Sequence, residues 1–558
     1  MGMSNRVARG RVATSSGVSR TKAGSSGVGA WESEVPNRSQ IMPMTTAVRA
    51  RVKSTRMIRT SVCMREIRGL RERCKGNVPP LSNRIPVNTL SPSSFGAPKV
   101  SVFSGKASYD DADALRQQIE DAINALELSA DFITPGDRVV IKPNWVKEHN
   151  ASKPEDEGGW LTIITHPAVV REVARWAARK LQGHGSVTLC DAPQSDSSFA
   201  TIRRLHRLDD LITDLTKEFP GIAFLLFDMR CEEWTIDDGV TIAKRELPSD
   251  PSGSVDIHLD ADSEFLGHSG LGKLYGASFD FATTNRQHTD PHHEYRICRT
   301  PMNADVLINV PKLKTHKKVG LTVALKNLVG TTPRTNWLPR HTEGTPAEGG
   351  DQFAESTAKR ALEGTLMRTA KKILFGRFFL SKLFVPLKKL GRVVFGDTKE
   401  VVRSGNWHGN NTAWRMILDL HKCFFYFDGR GVRRDKPLRY LTIVDGIIGG
   451  DGDGPMSCDP VASGVILAGT HPVAVDCVSA QLMGLNWKKT RLLNDAFAIQ
   501  RLPITGFAAA DITVASNKAE WSGPFEQMKN CFEFQCHFGW SGHLESDERL
   551  AKMEKSAV

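Results

Sequence analysis

The stretch Ala304-Asp-Val-Leu-Ile-Asn-Val-Pro-Lys-Leu-Lys-Thr-His316 decides the fold class of this chain. Its apolar run Val306–Val310 is short and rich in β-branched residues, which is typical of a buried strand. Pro311 has no N–H to donate to a neighbouring strand, so we expect the strand to end there. The two lysines and the histidine that follow would then lie just past the carboxyl end of a central strand. Ligands bind in that position in open α/β sheets.

Short apolar runs alternate with helix-length amphipathic segments on both sides of this stretch. Strands are predicted at 99–103, 137–141, 186–190, 222–227, 440–444 and 464–468, and helices at 111–128, 167–181, 199–219, 412–421 and 472–483. This alternation predicts an α/β fold, with a mostly parallel sheet covered by helices on both faces.

Polar side chains directly follow four of the predicted strands. They are Lys142 with Asn144, Asp191, Lys312 with Lys314, and Asp445. Because the carboxyl ends of parallel strands share one edge of a sheet, these side chains are expected to line a common crevice. Lysine binds phosphate or carboxylate as a point charge, so the crevice would suit a small anionic molecule. The alternative is that each residue caps its own strand and meets solvent.

A further lysine, Lys326, lies inside the apolar segment 321–329, next to Asn327. A buried ammonium group needs a partner or a ligand, so both residues are candidates for contact with the anion. The alternative is a lysine whose stem packs against apolar neighbours while its head reaches water.

Acid–base chemistry at this crevice would fall to four residues. His316 is the side chain expected to titrate near neutral pH and to carry a proton. Asp191, Asp445 and Asp476 would transfer protons or bind a divalent cation.

Two segments contain candidate metal ligands. One includes His288, Asp290 and His292, and the other is a glycine-rich loop, 445–455, that carries Asp451 and Asp453. The alternatives are an ordinary polar loop for the first segment and an ordinary acidic loop for the second. The spacing matches neither an EF-hand nor a phosphate-binding glycine loop.

The segment 406–415 is dense in polar and aromatic groups and leads into a predicted helix. Asn411 and Arg415 are candidate substrate-binding residues, because a helix amino terminus attracts anions. The alternative is a helix cap that satisfies itself, with Thr412 at the N-cap.

The excess positive charge of the chain is confined to its first residues. Residues 1–75 hold 16 basic and 4 acidic side chains, which leaves 58 of each in the remainder. The folded part is therefore formally neutral, and no nucleic-acid partner is expected. Residues 1–98 are interpreted as a disordered basic leader and linker; an upstream start codon and a transit peptide are alternatives.

Beyond the leader, we predict an α/β domain in two parts, 99–330 and 440–516. Residues 331–439 interrupt it as a helical and loop insertion or lid, and 517–558 form a C-terminal extension. Within the insertion, 366–396 is basic and rich in phenylalanine, with no acidic residue among its cations. Such a segment suits an anionic membrane surface, although a lid packed on the sheet is the alternative.

No run approaches the roughly 18 apolar residues of a transmembrane helix. Ten cysteines without regular spacing indicate reduced thiols. We therefore expect a cytoplasmic protein, which could also contact a membrane peripherally.

The sequence resembles the family called domain of unknown function 362 (DUF362). The matching segments are 140–144, 305–316, 321–330, 445–455 and 469–484, and 349–351 and 405–415 resemble a longer branch of the family. The resemblance covers roughly 99–515 and implies an α/β fold while leaving the reaction open. Some members carry ferredoxin-type clusters on Cys-x-x-Cys-x-x-Cys runs; this chain has no such run, so no iron–sulfur cluster is expected.

Two functional hypotheses follow. In the first, the chain is an enzyme acting on a small phosphorylated or carboxylated substrate, with a divalent cation as an optional cofactor. In the second, it is a non-catalytic binding protein that docks to a membrane surface or to a partner through 366–396.

Overall fold

The structure is a computed structural model that describes residues 90–155, 158–237, 240–276, 280–378, 380–382 and 401–556. Most of the predicted leader 1–98 and the second half of the segment 366–396 lie outside the described residues. Within the described part of the chain, no helix combines the length and the apolar character needed to cross a membrane.

Nineteen strands and twelve α-helices are numbered here in chain order. The strands are β1 Lys99–Ser104, β2 Arg138–Pro143, β3 Gly185–Asp191, β4 Ile222–Asp228, β5 Glu232–Asp237, β6 Val240–Glu246, β7 Ser254–His258, β8 Leu274–Tyr275, β9 His288–Thr289, β10 His292–Cys298, β11 Val306–Val310, β12 Lys312–His316, β13 Gly320–Thr322, β14 His341–Thr342, β15 Arg439–Asp453, β16 Ser457–Val461, β17 Val465–Gly469, β18 Thr513–Ser516 and β19 Gly523–Pro524. The helices are α1 Ala112–Asn124, α2 Pro167–Leu181, α3 Phe199–Leu205, α4 Leu208–Glu218, α5 Phe281–Gln287, α6 Arg299–Met302, α7 Ala324–Asn327, α8 Ala358–Leu374, α9 Ala413–Tyr426, α10 Pro472–Leu482, α11 Arg491–Asn494 and α12 Asp547–Ser556.

A 12-stranded sheet forms the centre of the molecule, with the main order β19-β18-β1-β17-β15-β11-β2-β3-β4. The five neighbours from β15 to β4 are all parallel. Antiparallel pairs occur where β17 lies between β1 and β15. Strands from 99–330 and from 440–516 therefore share one sheet, and the predicted, mostly parallel α/β fold is confirmed.

Alternating residues of the central strands explain why helices cover both faces of the sheet. Val139 and Ile141 of β2 belong to one apolar core, whereas Val140 between them belongs to the other. The first core also contains Leu115 of α1, and the second contains Phe424 of α9. Because successive side chains of a strand point to opposite faces, both faces need a helical cover.

Strand β11 ends at Val310, before Pro311, as predicted, but the chain does not leave the sheet there. Residues Lys312–His316 form β12, which continues the sheet beside β15 in parallel register, with Lys312 opposite Asp445. The N–H of Asp445 donates to the carbonyl of Pro311 at 2.9 Å, so a backbone contact bridges the break between the two strands. The lysines still follow the carboxyl end of β11, but they lie on a buried strand.

The predicted glycine-rich loop 445–455 is also mostly strand. Strand β15 runs from Arg439 to Asp453, well beyond the predicted end at residue 444. Its far end pairs with β16, with Asp451 opposite Asp459. Glycine suits this section because Gly450 lies so close to the carbonyl of Thr162 that a Cβ atom would be only 2.3 Å away from its oxygen.

The structure corrects two of the helix predictions, one in the middle of the helix and one at its amino-terminal cap. The predicted helix 199–219 is two helices, α3 and α4, because Arg207 between them adopts a left-handed backbone with φ of 49°. Thr412 precedes α9 as expected but does not cap it with its side chain. The Asn410 side chain accepts from the N–H groups of Thr412 and Ala413 instead, at 3.0 and 2.8 Å.

Candidate functional site

A cleft opens at the carboxyl edge of the parallel strands, between the end of β2, the end of β3 and the end of α7. Its cavity volume is about 100 Å³. Predicted site residues that line it are Lys142, Asn144, Asp191, Lys314, His316, Lys326 and Asn327, and residues not anticipated from the sequence include Arg230, Glu232 and Arg340. The shared crevice expected at the strand ends therefore exists for seven of the predicted residues.

Lys142 and Asp191 form a buried ion pair at the floor of this cleft. The ammonium Nζ of Lys142 lies 2.6 Å from Oδ1 of Asp191 and also donates to the carbonyl of Pro143 at 2.8 Å. Oδ2 of Asp191 accepts from the N–H of Trp145 at 2.6 Å. Gly330 passes so close that a Cβ atom there would lie 2.3 Å from the Asp191 carboxylate, which explains why this position has no side chain.

A chain of amide side chains connects this pair to Lys314. Oδ1 of Asn327 accepts from Lys142 at 3.3 Å and from Nδ2 of Asn144 at 3.1 Å. Oδ1 of Asn144 in turn accepts from Nζ of Lys314 at 2.7 Å, and Lys314 also donates to the carbonyl of Ile163. Neutral oxygens therefore hold the Lys314 ammonium, and none of the described carboxylates lies within ion-pair distance of it.

Lys326 and Arg340 bring two further cations to the cleft. Lys326 belongs to α7, and neither residue forms an ion pair with a carboxylate in the described part of the chain. Nε of Arg340 is buried and has no hydrogen-bond partner among the described groups. Buried polar groups in folded proteins are normally hydrogen-bonded, so Nε of Arg340 is an exception among the described residues.

Burial changes the proton affinities of these cations. It lowers the pKa of Lys314 to about 7 and the pKa of Lys326 to about 7, and repulsion from neighbouring cations acts in the same direction. Burial also lowers the pKa of His316 well below its usual value, assisted by Lys326 and other nearby lysines. The expectation that His316 titrates near neutrality is therefore wrong; the two lysines do so instead.

Lys312 and Asp445 lie outside this cleft and form a second buried pair. Their charged atoms are 3.0 Å apart, and both side chains are 0% exposed. The hydroxyl of Tyr109 donates to Oδ1 of Asp445 at 2.8 Å, and the N–H of His166 donates to Oδ2 at 2.9 Å. The ring of Tyr109 is stacked on that of His166 with centroids 3.8 Å apart. Both charged side chains are therefore buried, and their charged groups are paired within the chain.

Asp476 contacts the backbone of α7 and lies outside the cleft. Its carboxylate oxygens accept from the N–H groups of Ala324 and Leu325, at 2.7 and 3.1 Å, at the start of the helix that carries Lys326. Burial raises the pKa of Asp476 to about 8, although these two hydrogen bonds oppose the shift. The residue is a positioning residue for α7, and it does not line the cleft.

Asn411 and Arg415 lie together but away from the cleft. Arg415 donates to the backbone carbonyls of Asn411 and Glu264, at 3.0 and 2.6 Å, and its guanidinium lies 4.3 Å from the centre of the Trp414 ring. These contacts correspond to the self-satisfied arrangement that was the alternative interpretation of this segment.

The candidate metal ligands do not come together as one group. His288 is buried, with Nε2 3.0 Å from the carbonyl of Trp337. Asp290 lies 2.9 Å from Nε2 of His293. Asp451 accepts from the N–H of Gln535 at 3.0 Å. Asp453, at the end of β15, is 3.9 Å from His537, and His292 lies beside His258 of β7 and beside Asp260.

Comparison with known proteins agrees with the resemblance found in the sequence. Residues 264–481 match the family model described as "Domain of unknown function (DUF362)". A 45-residue part of the chain is 42% identical to the "Thylakoid-associated protein sll1697" of Synechocystis sp.. That alignment spans 8% of this chain and 14% of the relative. No solved structure matches the chain.

Proposed function

We propose that the chain, whose residues 264–481 match the DUF362 family model, is an enzyme that binds a small phosphorylated or carboxylated substrate in this cleft. One observation carries the proposal: Lys314, Lys326 and Arg340 line the cleft and have no described carboxylate partner. An uncompensated cation loses hydration free energy when it is buried, and an anionic ligand restores a favourable environment.

The three cations divide the recognition of an anion between two kinds of contact. The guanidinium of Arg340 presents a planar set of donors that fits two oxygens of a phosphate or carboxylate. The ammonium groups of Lys314 and Lys326 add compact charges that do not depend on one geometry. Asn144 and Asn327 hold Lys314 and Lys142 in place through hydrogen bonds.

The lowered pKa of Lys326, about 7, also suits proton transfer at neutral pH. A lysine of this kind is partly neutral, so it takes up a proton when an anion arrives and returns one when the charge leaves. We assign this exchange to Lys326 in place of His316, since the pKa of His316 lies well below its usual value.

The pH dependence of anion binding tests this proposal. Sulfate is a suitable probe because its own charge is constant around neutral pH. We expect its affinity to fall at least about tenfold between about pH 6.5 and about pH 8.5, because the free protein loses protons from Lys314 and Lys326 over this range. Isothermal titration calorimetry in buffers of different ionisation enthalpy should also show that the protein takes up protons when sulfate binds. The number taken up should be less than about one for each of the two lysines.

Lys436→Met provides a control, since Lys436 is an exposed lysine outside the cleft. This variant should keep both the affinity and its pH dependence. Sulfate affinity that does not change with pH, or that changes equally when Lys326 is replaced by Met, would contradict the assignment of the two lysines.

We propose a second function, docking to an anionic membrane surface, on the strength of an exposed apolar stripe on α8. Leu366 and Ile373 are 52% and 51% exposed and lie seven positions apart, on one face of the helix. The exposed basic residues Lys372 and Arg377 flank the stripe. An apolar face bordered by cations is the pattern of helices that lie in the interface of an anionic bilayer.

The same helix is not wholly free to move, because its polar side is fixed to the body of the protein. Arg368 of the helix lies 2.8 Å from Glu343, and Glu363 of the helix lies 2.5 Å from Arg403. The stripe would therefore reach a membrane with the cleft-bearing domain attached. The Synechocystis relative is named as a thylakoid-associated protein, which is compatible with this proposal.

Vesicle flotation tests membrane docking. We expect the full-length chain to be recovered with vesicles containing about 30% phosphatidylglycerol at low salt, and less at high salt because ions screen the attraction. The double variant Leu366→Glu/Ile373→Glu should abolish recovery, because it places carboxylates on the face that would enter the bilayer.

The matched control is Leu205→Glu, because Leu205 is 51% exposed on the distant helix α3. It should float like the wild type. No recovery of the wild type at low salt, or an equal loss in the Leu205 variant, would overturn the docking proposal and leave the cleft proposal intact.

A further inference from the structure

Three side chains that bind metals in other proteins meet on the small three-stranded sheet β7-β10-β9. His258 is the last residue of β7, Asp260 follows two positions later, and His292 is the first residue of β10. Glu294 of β10 pairs with His258 in the antiparallel register. Because His292 and Glu294 are two positions apart on a strand, they point to the same face as His258.

The distances fit a single ion. One ligand atom from each of His258, Asp260 and His292 lies within 4.8 Å of the other two. Oδ1 of Asp260 is 3.3 Å from Nδ1 of His292. In a tetrahedral zinc site with metal–ligand bonds of about 2.0–2.1 Å, neighbouring ligand atoms are separated by about 3.3 Å. Small side-chain rotations would bring the remaining atom to that separation.

Glu294 holds both imidazoles from the side. Its Oε2 lies 3.2 Å from Nδ1 of His258 and 3.5 Å from Nε2 of His292, and its side chain is 10% exposed. In known metal sites, a carboxylate on the second ring nitrogen of a histidine fixes the tautomer and orientation of the ligand. Glu294 is therefore a positioning residue, placed where it can hold His292 with Nδ1 free to bind.

We propose that His258, Asp260 and His292 bind a divalent transition metal of the zinc class. Two imidazoles and one carboxylate form a ligand set typical of zinc sites that keep a fourth position open for water or another ligand. None of the three residues lines the cleft, so this site is separate from the proposed substrate site. A bound ion would join the end of β7, the turn after it and the start of β10.

The sequence pattern behind this site is two short motifs, His258-Leu-Asp260 and His292-His-Glu294, 34 positions apart from His258 to His292. Neither motif is distinctive alone. The antiparallel register of β7 and β10 makes one site of them.

Metal titration of the full-length protein tests the proposal. After removal of metals with a chelator, Zn²⁺ should bind with one more equivalent to the wild type than to the double variant His258→Ala/His292→Ala. Co²⁺ bound at this site should give the intense visible absorption of a four-coordinate complex, and Zn²⁺ should displace it. Asp260→Asn should weaken Zn²⁺ binding at least about tenfold, because it removes a charged ligand.

His184→Ala is the matched control, because His184 is exposed and lies outside this cluster. It should bind Zn²⁺ and Co²⁺ like the wild type. The melting temperatures of the metal-free proteins establish that each variant is folded, and Zn²⁺ should raise that of the wild type and of His184→Ala alone. Equal stoichiometry in the double variant and the wild type would overturn the proposal and show that the cluster is a surface network of ion pairs.

Discussion

Replacing Lys312 with methionine should lower the free energy of unfolding by about 3–5 kcal/mol, the largest effect we expect from any single substitution in this protein. The change leaves the Asp445 carboxylate buried beside Tyr109 and His166, without its cation. Hydrogen bonds from a hydroxyl and one N–H do not replace a full positive charge in a site that excludes water. Urea denaturation at neutral pH measures the loss.

The double variant Lys312→Met/Asp445→Asn separates the two possible origins of this loss. If the cost comes from the orphaned carboxylate, the double variant should recover most of the lost stability, since asparagine carries no charge to be compensated. Lys488→Met is the control, because Lys488 forms an exposed ion pair with Glu526 and should cost less than about 1 kcal/mol. A single variant as stable as the wild type would show that the pair is not buried as described.

Sulfate binding by the same variant distinguishes the buried pair from the substrate cleft. Lys312 does not line the cleft, so folded Lys312→Met protein should bind sulfate with an affinity close to that of the wild type. A selective loss of sulfate binding in this variant would instead identify Lys312 as a substrate-binding residue.

Replacing Lys326 with methionine should have the opposite effect on stability and a large effect on binding. Without an anion, we expect the variant to be more stable than the wild type by about 1–3 kcal/mol at about pH 6, because a buried charge without a counter-ion is removed. At the same pH, sulfate affinity should fall at least about tenfold, because one of the three cations facing the anion is lost.

The sign of the pH dependence makes this prediction specific. The pKa of Lys326 is lowered to about 7 in the folded protein, whereas an unfolded lysine has its ordinary value of about 10.4. Between these values the unfolded chain binds more protons, so the stability of the wild type rises as the pH increases. The advantage of Lys326→Met should therefore be largest at and below pH 7, and it should shrink towards pH 10.

Chemical denaturation at several pH values, with and without sulfate, measures both effects. Lys436→Met should follow the wild type in each condition. A Lys326→Met protein that is less stable than the wild type at about pH 6 would mean that the lysine stem contributes packing and that its ammonium group is already satisfied.

The sequence predicted the cleft better than it predicted the path of the chain around it. Lys326 was identifiable because a cation inside an apolar segment needs an explanation, and Lys142 and Asp191 because each ends a recognisable strand. Strand β12 was missed because Pro311 normally ends a strand and because its alternating lysines suggest exposure. The partners that make those lysines compatible with burial, Asn144 and Asp445, lie 170 and 133 positions away in the chain.

Arg340 shows what local patterns cannot supply. It follows Pro339 in a segment with no clear periodicity, and nothing near it in the sequence marks it as part of the cleft. Its place there depends on how residues 331–342 return to the sheet domain, where β14 pairs with β8. Asp476 was recognised as unusual, but its role as a support for α7 depends on a contact across 152 positions.

The pairing of β1 has a consequence for how this protein is made. Ser101 of β1 contacts Ala468 of β17, 367 positions away, and Val102 contacts Ser516 of β18, 414 positions away. In the described residues, β1 pairs with these two late strands, so a ribosome must release most of the chain before the first strand has neighbours. During that interval its apolar side chains would be open to nascent-chain chaperones, and a translation product that stops before β17 could not complete the sheet.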